Sequence, residues 1–184
     1  MRPDLGPRLN QFCQQINSEA KLRQVPVCIL PGAKTDFCFG NVHYCVNQWG
    51  GALVTGWQFC HLPVDDTAGC LAAVHHAVWL TPEILPFELE WKESQEPYQG
   101  GNLLVDVTPP PDEVLSIGGK GLFLDDPTAT KIRYEGDVLG LTRSNKVFPL
   151  SNNPKVLKYV RDYRAYEYKE WRQYERWAKA GERK

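Results

Sequence analysis

Hydrophobic positions recur along this chain at two periods, and the change of period divides it. Leu9, Phe12, Cys13 and Ile16 return every three or four residues, which places them on one stripe of a helix expected over residues 7–22. A short apolar run, Val25-Pro26-Val27-Cys28-Ile29-Leu30, follows and is broken by Pro31-Gly32. Phe39, Val42, Val46 and Trp49 then repeat the helical interval, behind the capping pair Thr35-Asp36 and ahead of the stop Gly50-Gly51. That pattern predicts a second helix with Cys38 in its first turn.

Past this helix the apolar residues become β-branched and aromatic. Residues 52–59, 71–80 and 103–107 read as three successive strands, expected to be antiparallel, with Pro63, Asp65-Asp66, Gly69, Pro82, Pro86, Pro97 and Gly100-Gly101 in the loops between them. Residues 85–91 are expected to form a short element inside the longest connection. Further short strands are expected at 122–124, 132–134, 138–141 and 147–150. Ser151-Asn152-Asn153-Pro154 is a polar cap followed by proline at the first helical position, and nothing breaks the pattern before Gly181. A long terminal helix follows from it. The expected fold is α+β: a helix bearing Cys38 packed on an antiparallel sheet, with residues 1–150 as one domain and 151–184 as a helix docking on it or on a partner.

Composition adds little to this and charge adds more. With 184 residues, 42% hydrophobic and 23% charged, the chain is long enough for one well-buried core. The net charge of −1 conceals an asymmetry: ten Lys/Arg face five Asp/Glu from residue 154 onward, so the first 153 residues carry −6. No run of apolar residues is long enough to span a bilayer, and the N-terminus lacks the basic-then-apolar build of a secretory signal. A cytoplasmic protein is therefore expected, with its six cysteines as thiols rather than disulfides.

The order of three residues carries chemistry. A thiol in the first turn of a helix lies where the backbone N–H groups and the positive end of the helix dipole favour the thiolate. Cys38 occupies that place. An imidazole in a following strand can act as base and acid, and a carboxylate on the next strand, about 4.8 Å away, can fix its orientation. His76 and Asp106 fit those two positions. The Cys38 backbone N–H is the natural first oxyanion donor, and Asn41, one turn on, is a candidate for a second donor or for support of the site. His75 is the rival base, because strand alternation lets only one of the two histidines face Cys38.

These residues resemble known families. Ala72-Ala73-Val74-His75-His76-Ala77-Val78 resembles the His-Ala-Val strand of papain-like peptidases, and the succession helix-Cys, strand-His, strand-Asp is similar to transglutaminase-like proteins, over about residues 35–110. It is this resemblance that prefers His76 to His75. More narrowly, Cys38-Phe39-Gly40-Asn41-Val42, Gly50-Gly51, Gly56-Trp57, His76-Ala77-Val78-Trp79, Asp106-Val107-Thr108-Pro109 and Leu122-Phe123-Leu124-Asp125-Asp126 are similar to the motif series of an uncharacterised family of small bacterial proteins. Some members of that family carry a cysteine-rich zinc tail, and here no cysteine follows Cys70. The resemblance implies a papain-like core and a cysteine hydrolase or transferase acting on a protein or peptide, without a cofactor.

Other readings compete. Cys38 could be a small core residue, His76 a satisfied strand histidine and Asp106 the start of a turn at Thr108-Pro109. Eight Cys and His side chains between Cys38 and His76 raise the question of zinc, but no Cys-x-x-Cys pair occurs among them. In the terminal helix, Arg and Lys alternate with Tyr159, Tyr163, Tyr166, Tyr168, Trp171, Tyr174 and Trp177, which suits nucleic acid; the near-helical spacing of several of them favours a docking face against the domain or a second copy of the chain.

Overall fold

The computed structural model describes residues 5–35, 37–65, 68–84, 102–110, 114–117, 120–129, 134–135, 138–139 and 145–181. Their order is α1 (Leu5–Ile16), β1 (Lys21–Val25), α2 (Cys38–Trp49), β2 (Ala52–Pro63), β3 (Gly69–Leu80), β4 (Leu104–Val105), β5 (Ser116–Ile117), β6 (Lys120–Asp125), β7 (Tyr134–Glu135), β8 (Val138–Leu139), β9 (Lys146–Pro149) and α3 (Pro154–Gly181). The class is α+β, with an antiparallel sheet. The element expected at 85–91 lies outside the described residues.

The first helix is shorter than its periodicity suggests. It ends at Ile16 because Asn17 makes a turn of its own, its Oδ1 accepting the Glu19 N–H at 3.0 Å, and residues 21–25 become strand β1. At α2 the expected capping pair is also corrected: the N-cap is Phe37, with no side-chain cap bond, while Asp36 lies outside the described residues. Pro154 opens α3 where the sequence places it.

The sheet is built on the twelve-pair β2–β3 hairpin, in the order β1-β6-β2-β3-β4, with β5 on β6 and β9 on β3. It also closes. Just beyond β1, Val27 bridges Asp106 in parallel, with Cys28 N–H donating to Asp106 O at 2.8 Å and Asp106 N–H to Pro26 O at 2.9 Å. The hydrogen-bonded path therefore runs from β1 through β6, β2, β3 and β4 back to the segment after β1, a small barrel without a bare edge at that point.

Alternation separates the two faces of the hairpin. Trp57, Phe59, Leu71, Ala73, Ala77 and Trp79 share one face, and both early helices cover it. There α1 buries Leu5, Leu9, Phe12 and Cys13, and α2 buries Phe39, Val42 and Cys45. The opposite face gathers Val25, Val78 and Phe123 at one end and receives Val156 and Val160 of α3 against Cys70 and Val147 at the other. With Trp57, Phe59 and Trp79 of the hairpin and Leu124 of the neighbouring β6 fully buried, each at about 1.5–3 kcal/mol of transfer free energy, the hairpin and β6 hold the core.

Candidate active site

Cys38 is the first residue of α2, so its N–H precedes the helix's own i→i−4 ladder, and it is buried. The loop before it is held from behind by Asn41. The Asn41 Nδ2 donates to Lys34 O at 2.8 Å and to Thr108 Oγ1 at 3.2 Å, and its Oδ1 accepts the Lys34 N–H at 3.0 Å. One amide thus fixes the approach to Cys38 to the turn after β4. Both Nδ2 hydrogens are taken up in doing so, which is support rather than oxyanion donation.

His76 lies on β3 where the ladders part. On that side β4 pairs with β3 at Trp79 and Leu80, and β9 pairs at residues 70–73, so among the described residues positions 74–78 have no ladder partner there. Helix α2 packs on the Ala77 and Trp79 face, and His76 alternates to the other. A side chain cannot pass through a backbone layer, so the thiol and the imidazole meet past this unladdered edge. His76 is hydrogen-bonded to Cys38 on one side, and on the other its Nε2 lies 2.9 Å from Asp106 Oδ2.

Asp106 is 2% exposed and heavily engaged. Its Oδ2 also accepts Gln58 Nε2–H at 3.0 Å, and its Oδ1 accepts the Thr108 N–H at 3.0 Å. An ionised carboxylate only accepts, so Nε2 of His76 carries its hydrogen toward Asp106 and Nδ1 is the nitrogen left for the thiol. Burial alone would push the His76 imidazolium down. The charge and hydrogen bond of Asp106, and the hydrogen bond to Cys38, outweigh that and push it up to about 10. The environment of His76 therefore favours the imidazolium, the form that pairs with a thiolate.

Cys38 and His76 border a cleft of about 440 Å³, with Asp106 buried behind His76; Gln58, Thr108, Pro109 and Pro110 line it beside them, and Tyr159 and Tyr163 of α3 form another part. His75 also reaches this cleft, but its ring packs on Trp57, centroid to centroid 4.2 Å, as strand alternation dictates. Phe123 stands edge-on to the His76 ring at 6.4 Å. It can do so because Gly56, directly across from His76, has no side chain: a Cβ there would come within 2.4 Å of the Phe123 ring and 2.2 Å of Leu124 O. Gly51 is required for its own reason, a φ of +83° in the turn between α2 and β2.

Sequence reasoning brought forward Cys38, His76, Asp106 and Asn41 for the site and did not place Gln58, Thr108, Tyr159 or Tyr163 in it, although Thr108 stood in a motif and the two tyrosines in the aromatic stripe of the terminal helix. Gln58 had a signal, a polar residue inside the apolar strand run Trp57-Gln58-Phe59. The tyrosines' stripe signalled docking but not where, because contact between α3 and the cleft is long-range. Among the described residues no three His, Cys, Asp or Glu side chains form a metal-holding group, and no helix is long and apolar enough to cross a membrane. Compared with known proteins, the chain finds no matching family model, no matching curated protein and no matching solved structure.

Proposed function

We propose that this protein is a thiol-nucleophile enzyme acting on an amide or related acyl group of a protein or peptide, with a papain-like or transglutaminase-like division of labour. One observation carries the reading: His76 is held between Cys38 and Asp106 at the border of a cleft. The Cys38 thiolate attacks the carbonyl carbon, and the developing oxyanion takes the Cys38 N–H as its first donor. As the C–N bond breaks, the His76 imidazolium gives its proton to the leaving amine, and a thioester on Cys38 remains. His76 then accepts a proton from water or an amine that attacks the thioester, releasing acid or a new amide and restoring the thiol–imidazole pair. Asp106, with Gln58 and the Thr108 N–H holding it, keeps the imidazole in the required tautomer. Hydrolysis, glutamine deamidation and transfer share these steps and differ in the acceptor.

The test is covalent labelling by a thiol-directed acyl probe, read at the Cys38 peptide by mass spectrometry. Cys38→Ala and His76→Ala abolish it, while His75→Ala retains most of it if the variant stays folded. Acyl transfer to a protein lacking Cys38 at the wild-type rate would remove the nucleophile from the mechanism.

A further inference from the structure

The wall of the cleft that faces the triad comes from α3, and its composition bears on what the acyl group is. Beside Cys38, His76, Gln58 and Thr108, the cleft is bordered by Leu62, Val74, Pro109, Pro110, Tyr159 and Tyr163, and among its described lining residues none is a carboxylate, an ammonium or a guanidinium. Away from Cys38 and His76, a charged side chain lying along Leu62, Val74 and the tyrosine rings would lose water and find no carboxylate or ammonium among these residues. The two tyrosine rings stand 6.2 Å apart, inclined by 30°, one helical turn from each other. Tyr159 is 36% exposed although it belongs to a helix whose Val156 and Val160 are buried in the core. An aromatic face left half in water on the rim of a reactive cleft is an energetic cost that a bound apolar group removes. The same two tyrosines also border a second cleft with Val64 and Tyr166, where Lys155, Lys158 and Asp162 make the lining charged, so the apolar part of the wall is confined to the side that borders the first cleft.

Resting on the acyl-transfer reading above, we infer that α3 is the specificity wall of the site: Tyr159 and Tyr163 receive an uncharged aromatic or apolar side chain on the acyl part of a peptide substrate. The carbonyl carbon lies at Cys38, the leaving amine departs with the proton from His76, and the side chain of the residue that donates the acyl group lies against the two rings. Neither tyrosine touches the reacting bond. Both act on selection, so their loss changes the rate for one acyl group relative to another.

The experiment compares two peptidyl acyloxymethyl ketones, identical except for a phenylalanyl or an aspartyl residue at the acyl position, with iodoacetamide as a thiol reagent that needs no wall. Second-order rates are read at the Cys38 peptide on the full chain. Wild type is expected to prefer the phenylalanyl ketone by at least about tenfold, in line with 1.4 kcal/mol per decade. Tyr159→Ala is expected to erase most of that preference, measured as the ratio of ketone to iodoacetamide rates, and Tyr159→Phe to restore it. Tyr163 packs into the core beside Cys70, so Tyr163→Ala is read together with its melting temperature. A wild type labelled at Cys38 with no preference, or a Tyr159→Ala variant that keeps it, overturns the specificity wall and leaves the nucleophile standing. A wild type that neither ketone labels at Cys38 while iodoacetamide does removes the acyl-transfer reading and the wall with it.

Discussion

Within a single strand, neighbouring histidines meet opposite fates because the side-chain period is two. His75 packs on Trp57 while His76 meets Asp106, so a change at one is not a change at the other. Asp106→Asn keeps the shape but replaces an acceptor-only group by one that also presents hydrogens to His76 and Gln58. It is expected to slow acyl-probe labelling by roughly 10²–10⁴-fold, with labelling kinetics as the measurement. Gly56→Ala inserts a methyl group where Phe123 and Leu124 O already stand, so it is expected to displace the Phe123 ring from His76 and to lower both the melting temperature and the labelling rate. Asp126 serves structure instead. It is fully buried and accepts Trp57 Nε1–H and Asn17 Nδ2–H, both at 2.9 Å, and Thr128 Oγ1–H at 2.7 Å. Burial opposes its charge, but these donors win and hold its carboxyl below the usual value. Its contribution is therefore present above the unfolded carboxyl pKa and lost as pH falls through the lower folded one. Asp126→Ala is expected to cost about 2–4 kcal/mol, read by denaturant unfolding, because Trp57 Nε1 is left without its acceptor.

Helix α3 shows how an element divides its faces. Val156, Val160 and the half-buried Tyr163 pack against Cys70, Val147 and Leu62, and Arg164 donates to Val147 O at 2.7 Å, so its first turns are joined to the β3–β9 edge. The docking expected of the aromatic stripe is carried there chiefly by valines. Tyr159, Tyr166 and Tyr168 remain exposed, and the side chains of Trp171, Tyr174 and Trp177 lie outside the described residues. Val160→Ala is expected to destabilise the chain by about 1.5–3 kcal/mol through lost burial and the void it leaves, lowering the melting temperature by several degrees. Because α3 forms a wall of the cleft, the same variant is expected to weaken the preference between ketones while α2 and β3 keep Cys38 and His76 in place. Helix α2 is fastened at both ends: Asn41 ties its start to Lys34 and Thr108, and Trp79 Nε1 donates to Gly50 O at 2.9 Å at its finish.

For the molecule as a whole, stability and chemistry are linked through protons. His76 has a folded value of about 10 against an ordinary value of 6.5, so the stability it contributes is fully present below about 6.5 and is lost as pH rises through about 10. The buried thiols act in the same direction at higher pH. Burial pushes Cys13 and Cys70 up to about 11 and Cys45 up to about 12 from 9.0, so above that ordinary value the unfolded chain sheds protons that the folded chain keeps, and stability falls. The two effects separate by difference. The stability gap between wild type and His76→Gln, measured by denaturant unfolding, is expected to shrink from pH 6 to pH 10, whereas the thiol contribution is common to both proteins. A gap that widens over this range would contradict the raised imidazole.

Local signals in the sequence determined a good part of this protein. The proline at the start of α3, the apolar periods of α1 and α2, the strand character around Trp57 and Val78 and the order Cys38, His76, Asp106 all follow from neighbours within a few residues, where capping, periodicity and steric preference act. The boundary of α1 was misjudged because a side-chain bond from Asn17, not periodicity, ends it. The rest was decided by tertiary structure. The bridge from Val27 to Asp106 closes the barrel, the parting of β4 from β3 opens the edge where thiol and imidazole meet, Gln58 reaches Asp106 from 48 residues away, and α3 returns from the far end of the chain to border the cleft. Those contacts arise from closing long loops over a shared core, and no local pattern encodes which distant side chain a residue will meet.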